Sequence, residues 1–253
     1  MKYATLFYSG GKDSHYLLFD ILKKGYKVPF LINFEPVPHS DGFKYFNVVY
    51  NKKIIEKHSL LMKIPVFYYK FGGKNGKIFK DDRGVFIENI LQFLSQKKDK
   101  LELKSNIKLF VPWILNDLID SQKAFKRYNI IKDILIKKNI SFEFSIIKET
   151  SFSIIKKSIE NGIKSVCYSL PKPHLKKGKG IEEYIKKMVG REIDLNFYRE
   201  LLYLKNKISE IGSVFPIADL HSIVFSSPLF EKDICLKNSK VLEDENSFFL
   251  NLS

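Results

Sequence analysis

Six consecutive residues, Ser9-Gly10-Gly11-Lys12-Asp13-Ser14, bring together the groups needed to hold an anion. Two adjacent glycines let the main chain approach a ligand closely. If a helix starts here, the N–H groups of its first turn point outward without intrahelical partners, and the helix dipole adds partial positive charge. Ser9 and Ser14 offer hydroxyl donors, and Lys12 offers a charge to neutralise phosphate. Asp13 would repel a bare phosphate, so it acts through Mg²⁺ or caps the helix. A Walker A loop needs Gly-Lys-Ser/Thr in succession, and here Asp13 follows Lys12. The dinucleotide pattern G-x-G-x-x-G is absent. The plain structural alternative is a capped helix after a glycine turn.

Other chemistry-bearing residues are scattered. Asp120 and Gln122 follow an apolar run at 107–112, where open α/β sheets place their ligands. They contact a nucleotide or cap the next helix. Asp219 and His221 alternate in a strand-like pattern that turns both to one side, and His221 is a candidate acid or base near neutral pH. Arg191 and Glu192 form an ion pair or serve a ligand. Lys172, Lys176, Lys177 and Lys179 line a Gly/Pro loop that meets an acidic protein or RNA, or is simply solvated. Cys167 and Cys235 make no CxxC pair, which argues against a zinc ribbon, a disulfide scaffold and an iron–sulfur site.

These residues need a scaffold. Residues 4–8 read as a buried strand, and 13–24 as an amphipathic helix with Tyr16, Leu17, Phe19 and Leu22 on its apolar stripe, stopped by Gly25. Further strands are predicted at 28–34, 64–69, 107–112 and 141–147, with helices at 51–63, 84–96 and 121–138 between them. This alternation predicts a Rossmann-like α/β domain over 1–147, a parallel sheet with helices on both faces. From 148 to 253 the pattern changes. Helices at 150–161, 181–188 and 195–211 and strands at 165–169, 222–225 and 248–252 predict a smaller α+β domain carrying the substrate side.

The chain has 253 residues and a net charge of +15, yet only four of its 43 basic residues are arginine. Nucleic-acid readers lean on arginine for bidentate contacts, so the lysine excess points partly to AT-rich codon bias and partly to RNA as a partner. No apolar run approaches the ~18 residues of a membrane span. The short apolar run before the glycine loop is not a signal peptide, and a cytoplasmic location is expected.

The Ser9–Ser14 string after the first strand resembles the PP-loop ATP pyrophosphatases. The resemblance implies a fold of the adenine nucleotide alpha hydrolase type, ATP with Mg²⁺ as the bound species, and cleavage between the α and β phosphates. It implies that Ser9, Gly10, Gly11, Lys12, Asp13 and Ser14 hold ATP and that Asp13 holds the metal. By their own positions and chemistry, Asp120 and Gln122 join the ATP set, and Lys12, Asp13, Asp219 and His221 are the catalytic candidates. Leu60–Pro65, Asp120-Ser121-Gln122-Lys123, Val189–Asp194 and Ser226-Ser227-Pro228-Leu229-Phe230 are similar to segments of the diphthine–ammonia ligase branch, in the same order. That branch implies adenylation and amidation of an acceptor such as elongation factor 2. The chain departs from it at Phe215–Ser222, where the branch has a Gly-Glu-Gly-Gly-Glu-Tyr-Glu-Thr segment. All three glycines are gone, Asp219 is the one acid left, and His221 stands in place of a glutamate. A tRNA-modifying PP-loop enzyme, a different amide ligase and a non-catalytic ATP-binding module remain as alternatives, and a homo-oligomer remains open.

Overall fold

The computed structural model describes residues 2–36, 52–71, 92–97, 99, 107–112, 129, 132–133, 135–137, 141–173, 179–211, 215, 220–236, 239–245 and 247–252. The chain forms two compact units. One comprises Met1–Ser9 with Asp13–Thr150, the other Gly10–Lys12 with Ser151–Ser253.

The first unit is mixed α/β. Its strands are β1 (Tyr3–Leu6), β2 (Leu31–Pro36), β3 (Val66–Phe71), β4 (Ile107–Phe110) and β5 (Phe142–Glu143), and its helices include α1 (Lys12–Lys23) and α2 (Lys52–Met62). Among the described residues its strand pairings are parallel: β1 with β4, β4 with β5, and β2 with β3. A parallel bridge between Phe7 and Ile32, reinforced by Tyr8 N–H donating to Ile32 O, joins the two sheets. The strands therefore run β3-β2-β1-β4-β5. Ala4, Thr5 and Leu6 are all buried in succession, which requires cover on both faces of the sheet. On one face, Phe30, Ile32, Leu109, Val111 and Leu135 form the core, with Phe67, Tyr69 and Phe93 packed against it.

Helix α1 buries Ser14, Leu17, Leu18 and Ile21, the i, i+3, i+4, i+7 set of a single stripe. Of the expected stripe, Leu17 is fully buried while Tyr16, Phe19 and Leu22 are half-buried, because the buried side also takes in the polar Ser14 and His15, which an apolar count passes over. Gly25, at a φ of 79°, closes the helix end. Residues 92–97 are helical, as are 132–133 and 135–137. The remainder of the helices expected at 84–96 and 121–138 lies outside the described residues.

The second unit carries helices α3 (Ser151–Glu160), α4 (Lys179–Met188) and α5 (Leu195–Glu210) and strands β6 (Lys164–Pro171), β7 (His221–Ser226), β8 (Lys240–Glu243) and β9 (Ser247–Asn251). The sheet is antiparallel in the order β7-β6-β9-β8. Strand β8, of exposed and half-buried residues, has no apolar alternation to mark it in the sequence. Asp194 caps α5 by accepting from Phe197 N at 2.7 Å. Phe197, Leu201, Leu204 and Ile208 turn inward along that helix.

Lys63 follows α2 at a φ of 56°, the one described non-glycine residue with positive φ. A side chain there is strained where glycine is not. Lys63→Gly is expected to stabilise the protein by about 0.5–1 kcal/mol, read as a rise in the urea midpoint at unchanged m-value.

Candidate active site

The Ser9–Ser14 string lies where strand gives way to helix: β1 ends at Leu6 and α1 begins at Lys12. Gly10 adopts a φ of 78°, a conformation a side chain would strain, and this reversal lets the chain enter α1. The two serines tie the ends of the loop together. Ser9 N–H donates to Ser14 Oγ at 3.2 Å, and the two hydroxyls lie 3.1 Å apart. Asp13 falls in the first turn of α1, where a carboxylate suits the dipole. Lys12 is only 4% exposed, so its ammonium is held inside the protein rather than free in solvent.

In the second unit, Gly10–Lys12 is bound to β7. Val224 N–H donates to Gly10 O at 3.0 Å, and Lys12 N–H donates to Ser222 Oγ at 3.0 Å. His221, the next residue along β7, is half-buried. Its pKa is pushed down to about 4 by burial first and by the Lys12 charge second. The imidazole is therefore neutral at pH 7. His221 and Lys12, two of the candidate catalytic residues, are electrostatic neighbours. Asp219, Asp120 and Gln122 lie outside the described residues.

Sequence reasoning missed a polar layer within the first unit. Tyr8 Oη sits 2.8 Å from His15 Nδ1 and 2.7 Å from His58 Nδ1, with all three side chains buried. A phenol has one proton to give, so one imidazole accepts it while the other donates to the phenol oxygen. In the neutral state the two histidines are thus opposite tautomers. Burial and the neighbouring His58 hold the His15 pKa well below its ordinary value, and burial raises that of Tyr8. On β2, Asn33 Nδ2 donates to Tyr8 O at 2.7 Å, leaving Asn33 Oδ1 buried and without a hydrogen bond. Its cross-strand partner Tyr68 also has a buried, unbonded hydroxyl, and the Lys52 ammonium lies over its ring at 4.6 Å. The signal available in the sequence was Tyr8 and His15 flanking the loop on either side.

Several expected pairings resolve differently. Arg191 makes a two-pronged ion pair with Glu200, at 2.7 and 3.2 Å, rather than with the adjacent Glu192, because one turn of α5 brings Glu200 into reach. Cys167 is a buried free thiol and Cys235 an exposed one. Lys172 lies over the Phe248 ring and 3.7 Å from Glu243; Lys176 and Lys177 lie outside the described residues. Among the described residues no cluster of His, Cys, Asp or Glu forms a metal site, and no helix is long and apolar enough to cross a membrane.

No family model and no curated protein matches this chain. Among solved structures it is similar to a predicted subunit of a tRNA methyltransferase from Methanocaldococcus jannaschii. That similarity has 16% identity over 92% of this chain and 100% of the other, at a TM-score of 0.42.

His15 makes stability depend on pH. Below about pH 6.5 an unfolded histidine takes a proton that the buried one refuses, so the unfolded state gains and stability falls as pH falls. The expected loss is up to about 1.4 kcal/mol per pH unit per such group. Urea denaturation at pH 7, 6 and 5 checks this, with His15→Gln expected to show a shallower decline than the parent.

Proposed function

We propose that this chain binds ATP at Ser9–Ser14 and transfers its adenylyl group to an acceptor, releasing pyrophosphate. The observation that carries this reading is the loop itself. A strand runs into a glycine at positive φ and then directly into a helix, with Lys12 and Asp13 in the first turn. The parallel strand succession β3-β2-β1-β4-β5 is the order in which doubly wound folds bind nucleotides, which supports a Rossmann-like assignment. Loop amides, the Lys12 ammonium and the helix dipole suit the pyrophosphate portion. Asp13, in the first turn of α1, is the carboxylate that would hold Mg²⁺, which would neutralise phosphate charge there. Catalysis of this kind needs positioning and charge neutralisation more than covalent chemistry.

In the reaction, an acceptor oxygen forms a bond to the α phosphorus as the α–β bridging bond breaks. The electron pair leaves with pyrophosphate. For a carboxylate acceptor, ammonia then adds to the acyl adenylate, AMP departs, and an amide remains once a proton is lost. This is the course of the diphthine–ammonia ligases, whose segment order the chain resembles, with elongation factor 2 as the corresponding acceptor. His221, an electrostatic neighbour of Lys12 and neutral at pH 7, is our candidate to take the proton that ammonia sheds. A second reading, modification of a tRNA base by the same adenylation chemistry, draws on the net charge of +15.

ATP with Mg²⁺ is expected to raise the melting temperature, and Gly11→Val and Asp13→Ala to abolish that rise. Parental binding by both variants would remove the loop from consideration. Turnover with an acceptor is expected to release AMP and pyrophosphate in equal amounts, while ADP with orthophosphate would place the protein in another class. His221→Ala is expected to lower acceptor-dependent pyrophosphate release by roughly 10²-fold or more, with ATP affinity nearly unchanged. Elongation factor 2 and bulk tRNA, assayed side by side, separate the two acceptor classes.

A further inference from the structure

The Lys12 amide is among the donors expected to face a phosphate, because the first N–H groups of a helix lack intrahelical partners. Here that N–H donates to the Ser222 hydroxyl at 3.0 Å. The contact is made by a side chain, whereas the neighbouring bond from Val224 N–H to Gly10 O is between main chains. Rotation about the Ser222 Cα–Cβ bond therefore releases the Lys12 N–H while the pairing of Gly10 with β7 persists. Positive charge is also at hand: the Lys12 ammonium is buried, and its field reaches the imidazole of His221 beside Ser222.

We propose that Ser222 stands in for a phosphate oxygen: its hydroxyl holds the Lys12 N–H, and a phosphate oxygen displaces it on binding. This rests on the phosphate-loop reading above and adds the identity of the group that must leave. The exchange is downhill because an N–H bonded to an anionic oxygen is roughly twice as strong as one bonded to a neutral hydroxyl. The hydroxyl acts as a competitor and limits the affinity of the loop for weakly held anions. A merely structural Ser222 would have the opposite signature, since removing it would loosen the loop and weaken binding.

The test is calorimetric titration of the full chain with inorganic pyrophosphate and with MgATP, at pH 7, for the parent, Ser222→Ala, Ser222→Val and Ser222→Thr. The two variants without a hydroxyl are expected to bind pyrophosphate roughly five-fold more tightly, equivalent to the ~1 kcal/mol net value of a neutral hydrogen bond. Ser222→Thr, which keeps the hydroxyl, is expected to match the parent. If the parent binds and the Ala and Val variants bind equally or less well, the stand-in role is overturned and the loop reading survives. If the parent binds neither probe, the loop reading fails and takes this inference with it. If neither hydroxyl-free variant folds, the hydroxyl is a structural clamp and the proposal is wrong.

Discussion

The pairing of Gly10 and Lys12 with β7 is the constraint on which the loop conformation depends. A glycine at a φ of 78° has many alternatives open to it, and a two-glycine turn left to itself samples them. The carbonyl of Gly10 and the amide of Lys12 are each fixed by a residue of β7, which leaves Gly11 bracketed between two held positions. The serine pair Ser9 and Ser14 closes the same turn within the first unit. The main-chain bond from Val224 to Gly10 and the serine pair persist when Ser222 gives up the Lys12 amide, so the turn stays ordered for a ligand and the ordering cost of binding is lowered.

Beneath the strands of the first unit, the polar layer follows a different logic. Phe30 and Ile32 project to one face of β2 while Asn33 projects to the other, and Ile32 and Asn33 lie opposite Phe67 and Tyr68 of β3. One face is thus an aromatic core, and the other holds Asn33, Tyr68 and, through Asn33, the main chain of Tyr8. Burying a phenol and two imidazoles is costly unless each finds a partner, and the Tyr8 hydroxyl meets that need for both histidines. Such a network is more exacting than an apolar contact, because loss of the Tyr8 hydroxyl takes a partner from both histidines at once. It ties the residue before the loop, the residue after it and helix α2 into one set.

The lysine excess also has a structural share. Lys97 lies 4.1 Å from the Phe67 ring centroid and 5.2 Å from that of Phe93, and Lys52 both covers Tyr68 and bonds Glu35 at 2.9 Å. Here the ammonium itself lies over the ring face, a cation–π contact. Exposed pairs of this kind contribute at most ~1 kcal/mol each, so they shape the surface more than they hold the fold.

By itself the sequence determined the local elements near the loop. An apolar run, two glycines and an amphipathic segment specify strand, turn and helix through short-range sterics and periodicity, and β1 and α1 fall within a residue or two of where that reasoning puts them. The alternation of elements likewise made a parallel α/β unit legible, followed by a smaller α+β part, while the antiparallel order of the second sheet came from the structure. Only the tertiary structure decided which side of α1 is buried, since Ser14 and His15 are polar and enter the interior by pairing with Ser9 and Tyr8, which an apolar count does not weigh. It also decided that β8 exists, that Arg191 turns to Glu200, and that Ser222 lies on the Lys12 amide across 210 positions of chain. Such pairings are set by long-range register and by the need of each buried polar group for a partner, and neither leaves a periodic trace in the sequence.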